Sequence, residues 1–126
     1  MRCLVCLLAL LAFALPSCGG GDTHEKVSEE MIDLMAEVAD ILEGVTDEES
    51  AEAATTRLEK LGERAEELGQ RAEALGDPDP EEEKRLEKKY EQRMQEISKS
   101  MAASMMRLSS QPEVLQAVEE AMAKIE

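Results

Sequence analysis

Residues 51–75 read AEAATTRLEKLGERAEELGQRAEAL. Within them Ala51, Ala54, Leu58, Leu61, Ala65, Leu68, Ala72 and Leu75 recur at alternating steps of three and four. That spacing places all of them on one stripe of an α-helix, and a stripe kept over three to four heptads predicts a coiled-coil-like helix. The stretch also contains a literal repeat, Leu61-Gly62-Glu63-Arg64-Ala65-Glu66-Glu67 followed by Leu68-Gly69-Gln70-Arg71-Ala72-Glu73-Ala74. A glycine inside a helix costs about 1 kcal/mol relative to alanine. Gly62 and Gly69, seven apart and flanked by Ala65 and Ala72, therefore predict a close neighbour, either the third helix or a partner's helix. Chance in a tolerant surface sequence accounts for them equally well.

Reading outward from this stretch gives three more helices. Thr46 and Glu49 are spaced as a capping box before it, so the second helix is expected over 47–75, stopped by Gly76. Upstream, Val27, Met31, Leu34, Val38, Ile41 and Val45 step by 4, 3, 4, 3, 4, widened by Met35 and Leu42. This predicts a helix over 25–43, with Asp22 and Glu25 as one possible box and Gly44 as its C-terminal stop. Downstream, Asp79 caps, Pro80 takes the first helical position, and Glu81, Glu82 and Glu83 face the positive end of the dipole. Leu86, Tyr90, Met94, Ile97, Met101, Ser104 and Leu108 form the stripe of a helix over 80–108. Pro112 opens a last helix over 112–125, capped by Gln111 or Ser110, with Val114, Leu115, Val118, Ala121, Met122 and Ile125 inward. No segment alternates with the period of a strand.

The connections are short, which makes neighbouring helices antiparallel. The expected fold is all-α: an antiparallel, coiled-coil-like helical hairpin of the second and third helices, with two shorter flanking helices forming a partial four-helix bundle. The hairpin tip, Gly76-Asp77-Pro78-Asp79-Pro80, is expected to project beyond the shorter helices. The tether then meets the hairpin near the middle of its length. A tip that stability does not need is free for a partner, so Asp77, Pro78 and Asp79 join Gly62 and Gly69 as candidate interaction positions.

Composition narrows the function. The 126 residues suit one domain. With 14 Lys+Arg against 29 Asp+Glu the net charge is −15, which repels nucleic acid and anionic lipid surfaces alike. One His, three Cys and 2% aromatics leave little from which to build an enzyme site; no catalytic residues and no cofactor are expected. From Cys18 onward only 18 of 109 residues are Leu, Ile or Val. That proportion with this charge points to disorder, and the helical periodicity overrides it.

Four further groups carry chemistry only weakly. Met31, Met35, Met94, Met101, Met105, Met106 and Met122 offer soft thioether ligands for Cu(I), but most lie on apolar stripes where Met fills core gaps. Asp77, Asp79, Glu81 and Glu82 could offer oxygen ligands to Ca²⁺, in a spacing that fits no established loop. His24 is read as a solvated tether residue and Tyr90 as core. No metal site is expected from any of these.

The N-terminus reads MRCLVCLLALLAFALPS over residues 1–17. Arg2 supplies a basic start, and Cys3 to Leu15 is an unbroken apolar run. Thirteen residues are too few to span a bilayer core, which takes about 20, and suit the apolar region of a secretory signal peptide. Ala12-Phe13-Ala14 fits ordinary signal-peptidase cleavage. Leu15-Pro16-Ser17-Cys18, followed by Gly19-Gly20-Gly21, resembles the lipobox of small bacterial lipoproteins. The resemblance covers residues 1–21. It implies that Cys18 becomes the acylated first residue, that Cys3 and Cys6 leave with the signal, and that 18–24 is a flexible tether to a single domain over 25–126. Gly19 after the acylated Cys leans towards the outer membrane in a two-membrane cell.

The functional expectation is an exported, membrane-anchored, acidic helical lipoprotein. It faces the periplasm as a structural or protein-interaction module of the cell envelope. Its partners would be the membrane, through the lipid, and an envelope protein, with self-association through helices possible. The alternative is a periplasmic metal-handling protein that uses Met or acidic clusters.

Overall fold

The computed structural model describes residues 21–123, and all of its regular structure is helical. The segment 1–20, with Cys18, and Ile125 near the C-terminus lie outside the described residues. Four helices follow in order: α1 His24–Glu43, α2 Glu48–Leu75, α3 Pro80–Leu108 and α4 Pro112–Met122.

Local chemistry sets each end. Extended Thr23 caps α1, its hydroxyl accepting from the Lys26 amide at 3.1 Å. Asp22, the expected cap, is instead engaged by Arg71. The capping box of α2 is Asp47 with Ser50, one residue later than the Thr46–Glu49 pair. Serine wins because its hydroxyl reaches back to the amides of both Thr46 and Asp47. Asp79 caps α3 by accepting from the amides of Glu81 and Glu82. Gly76 ends α2 at φ 72°, a conformation costly to any residue with a Cβ. Gln111 precedes α4 at φ −129° and ψ 79°, outside the α region that a following proline disfavours.

The cross-helix ion pairs give the topology. Glu30 bonds Arg71 and Glu37 bonds Arg64, so α1 and α2 run antiparallel. Glu25 bonds Arg85 and Lys89, Asp33 bonds Arg93, and the Leu42 carbonyl accepts from Arg107, so α1 and α3 run parallel. Against expectation, α2 and α3 do not share a seam. Among the described residues, helix packing joins α1 to α2, α1 to α3, α2 to α4 and α3 to α4. The two long arms are diagonal neighbours held apart by α1 on one side and by the short α4 on the other.

This central place explains a second apolar face on α1. Leu34, Val38, Ile41 and Leu42 join Val45, Ala51, Ala54, Leu58, Leu61, Leu68, Leu108, Val114 and Val118 in the larger core. Ile32 and Ala39, on the other side of the same helix, pack with Leu86, Tyr90 and Ile97 in a smaller one. The base of the molecule, where α4 is present, is a closed four-helix bundle. Leu42, Val45, Leu58, Leu108 and Val118 are sealed there, each 0% exposed. Towards the 76–79 loop α4 is missing, and three helices remain.

Candidate functional site

Where α4 ends, a furrow begins. Its floor is α1 and its walls are α2 and α3. Three adjoining hollows follow one another along it. The one nearest α4, about 530 Å³, is bordered by Met31, Met35, Ala65, Met101, Met105 and Met122. The middle one, about 870 Å³, shares Met31 and Met35 and adds Val27, Ala72, Leu86, Tyr90 and Met94. The third, about 560 Å³, reaches the loop through His24, Ala72, Leu75, Gly76 and Pro78.

The furrow is open because of which residues line it. Leucine, isoleucine and valine fill the sealed core, whereas Met31, Met35, Met94, Met101, Met105 and Met122 are all half-buried at the furrow's surface. Methionine is unbranched and polarisable, and it remodels to meet what covers it. The α2 wall is made of small residues, Ala65 and Ala72 with Gly69 between them. A methyl group added at Gly69 would meet nothing within 4 Å. The close neighbour expected at Gly69 is therefore not supplied by α3; among the described residues nothing fills that space. Gly62 is half-buried on the same wall.

Charge is divided between the two sides of the molecule. On the side of α1 away from the furrow, cations strap the helices together. Arg71 donates to both Asp22 and Glu30, at 2.7 and 2.6 Å for the closest contacts. These hydrogen bonds hold both carboxyls below their usual range and push the guanidinium's affinity for its proton up. Lys89 and then Arg85 do the same for Glu25. Arg107 donates to the Leu42 and Glu43 carbonyls, where a cation offsets the negative end of α1's dipole. On the furrow side Glu73, Glu87, Glu91 and Glu119 stand on the rim, and none has an ion pair among the described residues. Lys99 is the one cation bordering the middle hollow.

The expected projecting tip is corrected. His24 is a clamp, not a solvated tether residue. Its Nε2 lies 3.0 Å from the Gly76 carbonyl and its Nδ1 3.1 Å from Glu82. Both partners are acceptors, and the two ring nitrogens reach one each. The start of α1 is thereby fixed at the 76–79 loop, and the chain enters the domain at that end rather than midway along the arms. Sequence reasoning missed this because α1 is shorter than its neighbours, and its register against them is set by distant ion pairs. Of the candidate interaction positions, Asp77 and Pro78 border the furrow's far hollow, while Asp79 is engaged in capping.

The acidic loop does not assemble a cation site: among the described residues no three of His, Cys, Asp and Glu converge. The thioethers are spread along two hollows and not gathered at one point. Tyr90 is buried, 7% exposed, in the smaller core, with Lys89 over its ring at 5.0 Å. No helix among the described residues is long and apolar enough to cross a membrane. No family model, curated protein or solved structure matches this chain.

Proposed function

We propose that the chain is an exported lipoprotein, anchored through Cys18, whose helical domain is a protein-interaction module of the cell envelope. The observation that carries the interaction reading is the furrow: an apolar, methionine-lined trough that none of the described residues covers, in a small domain whose other half is tightly closed. Large exposed apolar surfaces on small domains mark places where something binds. The anchoring reading rests on Leu15-Pro16-Ser17-Cys18 and the glycines that follow. Chain entry at the 76–79 loop puts the tether and the open half of the furrow at the same end, so the membrane side of the domain is also its binding side.

Two measurements test this. The native protein is expected to partition into detergent, and Cys18→Ser to release it to the aqueous phase. An aqueous native protein beginning at Leu15 would overturn the anchor. A photo-crosslinking residue at exposed Ser98, on the furrow, is expected to capture an envelope protein in cells. The same residue at exposed Glu63, on the far face of α2, is expected to capture none. Equal capture from both positions, or none from either, would overturn the interaction module.

A further inference from the structure

We propose that the open half of the furrow docks a basic amphipathic helix of a partner protein, about three turns long, seated end to end with α4. The proposal rests on the interaction reading above and adds the chemistry of the occupant.

The first argument is shape. The trough between α2 and α3 is continuous, and α4 already lies in its base half. There Val114, Val118 and Ala121 face the trough and are buried. A helix therefore fits this trough, because one occupies it. Beyond Met122 the floor continues along α1 from Met35 back to His24. Twelve residues of floor at 1.5 Å each span about 18 Å, or three turns of a second helix.

The second argument is the lining. A floor of Met31 and Met35 against walls of Met94, Ala65 and Ala72 offers apolar contact without a fixed relief. Flexible thioether surfaces of this kind accept the apolar face of a helix read at i, i+3, i+4 and i+7.

The third argument is charge, and it selects among occupants. Among the described residues the carboxylates Glu73, Glu87 and Glu91 border the open trough without ion pairs, against Lys99 and the His24 ring. Arg64, Arg71, Arg85, Lys89 and Arg93, on the same two helices, are engaged on the opposite face. A helix laid in the trough would bring its polar flanks to these carboxylates. Lys and Arg flanks would be attracted there and acidic flanks repelled. A second copy is disfavoured by the same rim, since from Cys18 onward each chain carries 13 cations against 29 acids. So are anionic lipids and free fatty acids.

The test uses the full chain as the cell processes it, held in nanodiscs if it is membrane-anchored. The probe is a fluorescent, end-blocked 13-residue peptide with Leu on one helical face and Lys elsewhere. It is compared with a version carrying Glu in place of Lys and with a scrambled version of the same composition. Anisotropy is expected to show binding of the Lys peptide and at least tenfold weaker binding of the other two, with binding weakening as salt is added. Glu87→Lys with Glu91→Lys, both exposed and so tolerated by the fold, is expected to cost at least tenfold. Glu63→Lys with Glu67→Lys, the same change of charge on the far face of α2, is expected to cost less than twofold. Equal losses from the two pairs would reduce the binding to net charge and overturn the site. So would a preference for the scrambled or Glu peptide. Uncharged monopalmitoylglycerol that binds and cannot be displaced by the Lys peptide would make the furrow a lipid site. A crosslink from Ser98 to residues 3–15 of the same chain would make it a seat for the chain's own N-terminus. Crosslinking that captures a partner through a non-basic segment would remove the chemistry and leave the interaction module standing. Peptide binding with no capture in cells would do the reverse.

Discussion

The two halves of this molecule share three helices and differ in the fourth. At the base α4 closes the bundle, and the side chains between the helices are leucine and valine with 0% exposure. Towards the 76–79 loop the same α1, α2 and α3 continue, but the residues facing the missing helix become methionine, alanine and glycine. The base is held by apolar burial. The other end has the smaller core of Ile32, Leu86, Tyr90 and Ile97, ion pairs on the face away from the furrow, and the His24 clamp at the loop. One continuous heptad stripe thus serves two unlike ends. Leu58 and Leu61 on α2 are sealed, and Leu75 on the same stripe is only half-buried.

The largest expected effect breaks the base. Leu58 is 0% exposed in the larger core, and truncation of such a side chain costs about 2–5 kcal/mol. That is a large part of the stability of a small domain. Leu58→Ala is expected to leave the chain close to unfolded at room temperature. Leu75→Ala, at the rim of the far hollow, is expected to cost much less. Urea denaturation of the two variants measures the contrast. Equal losses would show that the loop end is covered as tightly as the base, as in a dimer.

A smaller effect sharpens the other half. Asp22, Glu25 and Glu30 all lie in or next to the first turns of α1, and all three carboxyls are held below their usual range by Arg71, Lys89 and Arg85. A carboxyl with a depressed folded value contributes stability above the ordinary carboxylate range and loses it as pH falls through that folded value. Acid is therefore expected to loosen the start of α1, with its three such carboxyls, before it loosens the leucine core of the base, where Asp47 at the cap of α2 is the one carboxyl held low. Amide NMR signals of residues 24–30 should broaden or shift at a higher pH than those of 54–61. Arg71→Met should remove most of that difference for Asp22 and Glu30. Simultaneous loss in both halves would mean that the straps do not govern the end they join.

The four helices were legible because their signals are local: stripes at steps of three and four, Pro80 and Pro112 at first positions, Gly76 past an end, Asp79 as a cap. What the sequence hid is the arrangement. The stripe of α2 reads as a seam with α3, but a stripe says only that a face is buried, not against what. The clue lay in α1. Its apolar residues, Ile32, Ala36 and Ala39 as well as Leu34, Val38 and Ile41, wrap too far round the helix for a flanking element and mark a central one. The furrow was half legible too. Methionines stand where a closed seam would carry leucine, on α1 and α3 together, and their sharing of one open face required the fold. The ion pairs between helices, across 27 to 64 residues of sequence, were not legible, since no short-range rule pairs Asp22 with Arg71 or Glu25 with Lys89.

The smallest expected effect concerns Gly69 and runs in the favourable direction. It sits inside α2, where glycine is worse than alanine by about 1 kcal/mol, through backbone freedom that folding must remove. Among the described residues a methyl group there would meet no atom within 4 Å, so no contact among them offsets that cost. Gly69→Ala is expected to raise the urea midpoint by an amount worth about 1 kcal/mol, with the slope of the transition unchanged. The basic probe peptide separates two reasons for keeping the glycine. A stabilised variant that binds the peptide more weakly would show that the small wall is kept for an occupant of the furrow. A stabilised variant that binds equally well would place the helix lower, against Ala65 and Ala72 alone. Destabilisation would contradict the open wall itself and require another helix over residues 62–69 in solution, most simply from a second copy.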